Sequence, residues 1–229
     1  MTERPPKGAE AAAARRRRGD GGRRERLLEM ATREFAAKGL AGARVDAIAR
    51  AARSNKQLVY YYFGNKIGLY NEVVGRIGPV VHEELYPDAD ADDDTLTLAE
   101  RVRQRARHTW GPVAARWGRL LGWEALERGD KDILREEERY ASWRHRTREI
   151  EAAQARGEID RRFDPELLGL ALLAVELVPR VLPQVTKLVT GLSHRDPEFL
   201  RRQEELLEEL VTHLGPQATG EDAEASTSR

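Results

Sequence analysis

The chain has 229 residues, of which 40% are hydrophobic and 34% charged, a composition typical of a folded helical protein and not of a disordered one. It contains no cysteine, which excludes disulfides and thiolate metal sites and fits a reducing compartment. The formal net charge is zero, yet residues 1–70 carry 16 Lys and Arg against 7 Asp and Glu, so the remainder of the chain is acidic.

The first segment, residues 1–22, combines Pro, Gly, Ala and Arg without a hydrophobic period, and we predict a flexible basic arm there. No apolar segment follows the arginines, so no secretory signal is expected. Basic residues still outnumber acidic ones from 33 to 66, beyond the arm. This charge asymmetry predicts a basic N-terminal head that binds nucleic acid, attached to a neutral or acidic body. The alternative is that the arginine-rich tail is only solvated.

Helical periodicity begins after the arm. A first helix is predicted over residues 24–38, with Leu28, Ala31 and Phe35 on one face and Gly39 ending it. A second is predicted from Val45 to Ala52, with its apolar residues facing inward.

A third, short helix follows the break Arg53-Ser54-Asn55. Asn55 is a suitable N-cap, because its side-chain oxygen can accept a backbone N–H two or three residues later. Two short helices joined by so tight a turn predict a helix-turn-helix.

Four consecutive aromatic residues lie on this third helix, and a helical wheel divides them between two faces. The face that packs on the first two helices holds Val59, Phe63 and the ring of Tyr62. The outward face holds Lys56, Gln57, Tyr60 and Tyr61. Such side chains suit phosphates, base edges and thymine methyl groups, so we predict a face that binds double-stranded DNA. The alternative is that a Tyr-rich helix packs against a partner domain.

Residues 24–74 resemble the TetR family of bacterial transcription regulators. The resemblance rests on LLEMATREFAAKGL in the first helix, VDAIARAA in the second and SNKQLVYYYFGNKIGLY in the third and its turn. It implies that Lys56, Gln57, Leu58 and Tyr61 face the major groove, with Gln57 reading a base. It also implies that Tyr60 and Lys66 hold phosphates, and that Arg44 holds another phosphate or a nearby base.

Two positions depart from the family pattern. The family usually has Thr or Ser to cap the second helix, where this chain has Ala43 and Arg44. The turn glycine of the family is Arg53 here, and a left-handed non-glycine residue costs about 1 kcal/mol. Both changes leave the predicted DNA-binding face intact.

The rest of the chain is also predicted to be helical. A helix over residues 66–84 precedes an acidic loop in which Asp88, Asp90 and Asp92 have calcium-loop spacing, but Asp93 and Ala99 break the EF-hand pattern. Thr97 with Glu100 forms a capping box that begins the next helix. Further helices are expected to residue 214, broken at Gly111-Pro112, Gly129-Asp130, Gly157 and Gly191, before a polar tail over 215–229.

The predicted fold is therefore all-α: a helix-turn-helix domain over 23–70 and an all-helical domain over 71–214. The resemblance implies that this second domain encloses a small-molecule effector and forms a homodimer through helices near 165–189 and 197–214. Pro179 and Pro183 should kink or split the first of these. A dimer would set two recognition helices about 34 Å apart, one DNA turn, which suits a palindromic operator.

Candidate residues of the effector site are mostly aromatic. They are Trp110, Trp117, Trp123, Tyr140, Trp143 and the ionisable Glu176. Core packing explains each aromatic equally well. Glu124, Glu176 and Arg180 lie beside apolar runs, where they could meet a polar ligand or pair with each other.

No catalytic constellation is present: the sequence has no phosphate loop, nucleophile elbow or HExxH motif, and its five histidines lack metal-ligand spacing. No cofactor, metal or membrane span is expected, and the default location is the cytoplasm. The sequence thus predicts a repressor that a small-molecule effector releases from DNA, and not an enzyme. The alternative is a nucleoid-associated protein that binds any duplex through the arginine arm.

Overall fold

The structure of the protein, a computed structural model, describes residues 7–86, 96–108 and 111–216. The described residues form ten helices: α1 Lys7–Gly42, α2 Val45–Ala51, α3 Lys56–Phe63, α4 Lys66–Leu85, α5 Leu98–His108, α6 Pro112–Arg128, α7 Glu136–Ala155, α8 Pro165–Val181, α9 Pro183–Thr190 and α10 Pro197–Thr212. No strand occurs among these residues, so the all-α prediction is confirmed. The rejected calcium loop and Trp110 lie outside the described residues.

The helices divide into two compact units. The head consists of the residues up to 78 together with 119–135, and the body consists of 79–118 and 136 onward. The head thus includes much of α6 and the turn after it, which the sequence analysis assigned to the second domain.

The helix α1 begins at Lys7, well before Arg24, where the sequence predicted its start. Alanine and arginine both have high helix propensity, which explains how the helix extends through this segment. The predicted flexibility of residues 1–22 stays a prediction. The helical geometry of α1 breaks at Gly39, whose φ of 70° is in the left-handed region, where the sequence predicted the helix to end.

The core of the head is apolar. Leu28, Phe35, Ile48 and Val59 are all buried, so α1, α2 and α3 pack together through the faces that their periodicity predicted. The rings of Phe35 and Tyr70 meet edge to face with centroids 5.0 Å apart, which fixes α4 against α1.

The segment 119–135 joins the head through backbone contacts at the end of α1. The carboxylate of Glu127 accepts the N–H groups of Leu40 and Ala41 at 3.0 and 3.1 Å. A Cβ at Gly39 would lie 2.2 Å from a Glu127 carboxylate oxygen and 2.9 Å from the Trp123 ring. Position 39 therefore requires glycine for two reasons: the backbone has a positive φ there, and α6 approaches too closely to leave room for a Cβ.

The body has its own apolar core, built from α5, α7, α8 and α10. Its buried members are Leu98, Val102, Ala106, Ile150, Ala153, Ile159, Leu172, Leu207 and Val211. The predicted capping box begins α5, since the side-chain oxygen of Thr97 accepts the N–H of Glu100 and the Glu100 carboxylate accepts the N–H of Thr97. Gly129, Gly157 and Gly191 have positive φ at the predicted helix breaks.

The predicted helix over 165–189 is split. It ends at Val181 and resumes at Pro183 as α9, bent by 97°, while Pro179 lies inside α8. Within the described ranges, no single helix is long and apolar enough to cross a membrane, although the bent pair α8 and α9 meets that test when its two parts are combined.

Candidate nucleic-acid interface and ligand cleft

The outward face of α3 lies in solvent, as the helical wheel predicted. Val59 and Phe63 are buried, whereas Tyr60 and Tyr61 are 43% and 79% exposed. Lys56 and Gln57 are exposed as well. Since large aromatic rings are costly to leave in water, two tyrosines on one exposed helix face indicate a surface that binds a partner.

The turn before α3 has the predicted geometry. The side-chain oxygen of Asn55 accepts the N–H of Leu58 at 2.9 Å, which confirms the N-cap. Arg53 has φ of 51°, so this chain places an arginine in the left-handed conformation that the family gives to glycine. The two helices of the motif are therefore fixed relative to each other by a cap and a strained turn residue.

Lys56 is already engaged by neighbouring groups. Its ammonium lies 3.3 Å from the Asp46 carboxylate of α2 and 5.9 Å from the Tyr60 ring centroid. The hydrogen bond to Asp46 raises the pKa of Lys56 above its usual value. Lys56 remains cationic and lies on the outward face. A DNA phosphate would there compete with Asp46 for hydrogen bonds from the Lys56 ammonium.

The residue before α2 is held by a side chain of another helix. Arg44 makes no side-chain cap, and the backbone N–H of Arg44 instead donates to the Glu34 carboxylate of α1 at 3.3 Å. Burial opposes ionisation of Glu34, but Lys38 at 2.8 Å and this N–H outweigh it and lower the pKa of Glu34. Glu34 thus holds the backbone at the residue before α2, while the Arg44 side chain stays exposed.

Two other predicted contact residues are less accessible. Leu58 is half-buried, which suits an apolar contact at the edge of the face. Lys66 is also half-buried, and its ammonium donates to the carbonyl oxygen of Ala41 at 3.0 Å, which ties the start of α4 to the end of α1. An ammonium has three protons, so this contact leaves Lys66 two donors for a phosphate.

The body has an open cleft of about 330 Å³ between α7 and α8. Its lining includes Trp143 and Thr147 of α7, Leu170 and Leu173 of α8, and the buried Arg146. A mostly apolar wall with a few polar groups is typical of a small-molecule site.

The other predicted effector residues within the described ranges do not line this cleft. Trp117 is buried in the body, with the guanidinium of Arg139 5.5 Å from its ring centroid, and Trp123 packs on Gly39 in the head. Tyr140 is 61% exposed. Among the predicted residues that the structure describes, only Trp143 lines this cleft.

Glu176 belongs to a buried ionic network that the sequence did not predict. It accepts two hydrogen bonds from Arg146, at 2.8 and 3.1 Å, and lies 3.7 Å from Arg105. Arg105 also donates to Glu149 at 2.8 Å. The guanidinium of Arg105 is 4.7 Å from the ring centroid of Tyr86, which covers the network at the end of α4.

Buried charges persist here because each has a partner. Burial alone would raise the pKa of Glu176, but Arg146 and Arg105 hold it below its usual value. Burial likewise opposes ionisation of Glu149, yet His145 and Arg105 lower its pKa to about 2. The Nε of Arg146 is buried without a hydrogen-bond partner, beside the wall of the cleft. Among the described residues, no cluster of acidic or histidine side chains could hold a metal ion.

Two family models match the chain. Residues 27–73 match bacterial regulatory proteins of the tetR family, and residues 112–211 match a tetracycline-repressor-like C-terminal domain. The first match covers the helix-turn-helix, and the second covers most of the helical body.

Individual proteins give the same result. The HTH-type transcriptional repressor SCO4008 of Streptomyces coelicolor is 35% identical over 72% of this chain and 82% of its own length. The crystal structure of SCO4942 from the same organism covers 85% of this chain and 99% of its own, at 26% identity and a TM-score of 0.65. A TetR-family regulator from Cytophaga hutchinsonii shares the fold at 18% identity, with a TM-score of 0.64 over 85% of this chain and 96% of its own.

Proposed function

The chain belongs to the TetR family of bacterial regulatory proteins, and we propose that it is a homodimeric repressor that a small-molecule effector releases from a palindromic operator. That it is a DNA-binding regulator of transcription follows from the family. Repression, dimerisation, the form of the operator and the response to a ligand are the proposal. The observation that carries it is the exposed polar and aromatic face of α3 on an otherwise apolar helix.

The proposal assigns base reading to Gln57. Its amide can donate and accept at once, so it can pair with the two polar groups that adenine presents in the major groove. Lys56 and Tyr61 flank it on the same face, and Leu58 supplies an apolar edge. Tyr60, Lys66 and Arg44 would contact phosphates, which fix the position of the helix but do not read sequence.

Dimerisation is proposed through the uncovered apolar faces of α8, α9 and α10. These faces expose Leu167, Leu170, Val178, Leu182, Val185, Leu188, Val189, Leu206 and Leu210. α8 also buries Leu172 and Pro179, so it has apolar residues on both its inner and its outer side. A helix of this kind is stable in water only when a second surface covers its outer face.

The cleft of α7 and α8 is the proposed effector site. Trp143 would stack on the effector, and the hydroxyl of Thr147 and the guanidinium of Arg146 would supply polar contacts. An effector acts only if it binds more tightly to the conformation that has low operator affinity. The protein would act in the cytoplasm, where bacterial DNA lies.

The decisive experiment is genome-wide recovery of the DNA fragments that the full chain binds, followed by binding in solution with competitor DNA. We expect one palindromic sequence to survive a large excess of random duplex. A sequence-blind nucleoid protein would bind all fragments with equal affinity, and that result would refute the proposed repressor.

The same purified complex tests the effector site. Addition of small molecules that displace the palindrome should quench the fluorescence of Trp143 over the same concentration range. Trp143→Phe should remove that signal and weaken release, whereas Trp117→Phe, a substitution outside the cleft, should leave the concentration dependence unchanged.

A further inference from the structure

Residues 15–26 hold seven arginines against Asp20 and Glu25, and the α3 interface uses none of them. This segment lies within α1, which begins at Lys7 and joins the head without a break before Gly39. We propose that the basic segment of α1 before Arg24 is a second DNA contact, which binds phosphates that flank the site read by α3. The inference rests on the proposed DNA-binding function.

The anchor of the segment is beside the recognition helix. The guanidinium of Arg24 lies 5.3 Å from the ring centroid of Phe63, the last residue of α3, and pairs with Glu72 of α4. The next residue, Glu25, pairs with Arg76 of α4. These contacts fix the point at which the basic segment leaves the folded part of the head, next to the end of the DNA-facing helix.

Space around the segment is open. A Cβ built at Gly21 or at Gly22 would meet no atom within 4 Å, and Arg23 and Arg26 are exposed. The segment before Arg24 therefore has room for a partner at the point where it leaves the head.

Length and charge both suit a duplex. A helix rises about 1.5 Å per residue, so the run from Arg15 to Arg18 lies roughly 9 to 14 Å from Arg24 along the axis, or about three to four base pairs. Four consecutive helical positions spread over about 300° around the axis. The four positions therefore lie on several sides of the helix, and each of them carries a residue type that binds phosphate.

Duplex DNA is a better partner than the acidic half of a second copy, because the segment leaves the head at Arg24, beside the last residue of the helix that faces the operator. Phosphate contacts by arginine need no base sequence, and each one releases counterions from DNA. The second contact should therefore increase affinity for operator and random DNA alike and steepen the salt dependence of both.

The test compares full-length variants on a random duplex and on the recovered palindrome, over a series of salt concentrations. Arg15, Arg16, Arg17 and Arg18 are replaced together by Gln in one variant and by Lys in another. Each lost phosphate contact lowers the slope of log affinity against log salt by about 0.9, so the Gln variant should lose up to about 3.6. That loss corresponds to roughly 10²-fold less change in affinity between 50 and 200 mM salt.

A matched pair separates contact from overall charge. The double variant R17Q/R18Q removes two charges from the segment, and R148Q/R161Q removes two exposed charges from the body. The first should lower the slope by up to about 1.8 and the second should leave it unchanged. The Lys variant should retain most of the slope, since lysine also binds phosphates.

Equal slopes for the wild type and the Gln variant would overturn the second contact, and so would a Lys variant that loses as much as the Gln variant. The random duplex keeps this test separate from the repressor proposal. A wild type that prefers no palindrome would refute the repressor, while a reduced slope on random DNA would still support the contact.

Discussion

In the head, charged and polar side chains of α3 lie in solvent over a core of Leu28, Phe35 and Val59. In the body, Arg105, Arg146 and Glu176 are buried, while leucines of α8 and α9 are exposed. Ordinary globular surfaces follow the first arrangement. The buried charges of the body are held by partners inside the unit, and its exposed leucines form the surface that we propose as the dimer interface.

The two units also differ in which of their features reduce the stability of the folded state. The head holds a strained residue, Arg53, in the turn of its recognition motif, at a cost of about 1 kcal/mol. The body holds a desolvated ionic network, in which the loss of one partner costs several times more. Substitutions in the body should therefore have larger effects on stability than substitutions in the head turn.

The largest effect is expected from Glu176→Leu. It leaves Arg146 without its buried bidentate partner, and breaking such a pair costs about 3–5 kcal/mol. Urea denaturation should show the loss as a lower midpoint. The double variant R146M/E176L removes both charges and should be close to the wild type in stability. A double variant as unstable as the single one would show that packing, and not charge, dominates at this site.

Acid should weaken the body through Glu149. Its pKa falls from 4.5 to about 2 on folding, so its contribution is present above about pH 4.5 and is lost as the pH falls toward 2. The shift corresponds to roughly 3 kcal/mol. The unfolding free energy of Glu149→Gln should vary less with pH across this window. An identical pH profile for variant and wild type would contradict the depressed pKa.

The exposed leucines are tested by Leu188→Glu on α9. A carboxylate buried in the proposed dimer interface should weaken dimerisation by about 2–4 kcal/mol, measured by sedimentation equilibrium. Leu126→Glu on α6 is the matched control, because the two leucines are 85% and 81% exposed and only Leu188 is in the proposed interface. If both substitutions weaken the dimer equally, the interface is not specific to the exposed leucines of α8, α9 and α10, and the proposed interface is wrong.

Much of the head could be predicted from sequence because its signals are local. The inward positions of Val59 and Phe63 follow from the helical period, and the cap by Asn55 acts on a residue three positions later. The hydrogen bond from the Arg44 N–H to Glu34 was not predicted, since it depends on how α1 packs against the start of α2.

The body was less predictable for the same reason. The sequence suggested that Glu176 and Arg180 could pair, and the charge of Arg180 does help to lower the pKa of Glu176. The hydrogen bonds to Glu176, however, come from Arg146 of α7, 30 positions earlier. Glu127 contacts the end of α1 across 86 and 87 positions. Such pairs depend on tertiary packing, for which a single sequence carries no periodic signal. Trp143 could be proposed for the cleft by residue type alone, but nothing in the sequence separated it from Trp117.

Gln57→Ala tests the exposed face of the head. It should reduce discrimination at one base step of the palindrome by about 1–3 kcal/mol, while affinity for random duplex changes little. Binding to a set of single-step operator variants measures this directly, and the remaining steps are the internal control. An unchanged ranking of the variants would remove Gln57 from base reading.

The smallest effect is expected at Arg53. Arg53→Gly relieves the left-handed conformation but gives the unfolded chain more freedom, so the net gain should be at most about 1 kcal/mol. Arg50→Gly, three residues earlier within α2, should instead cost about 1 kcal/mol, because glycine is a poor helix former. Hydrogen exchange of the α2 and α3 amides resolves both changes locally. A gain in stability for Arg53→Gly with a loss for Arg50→Gly would show that the backbone of the turn is strained. A loss for both would mean that the Arg53 side chain stabilises the motif by more than its conformation costs.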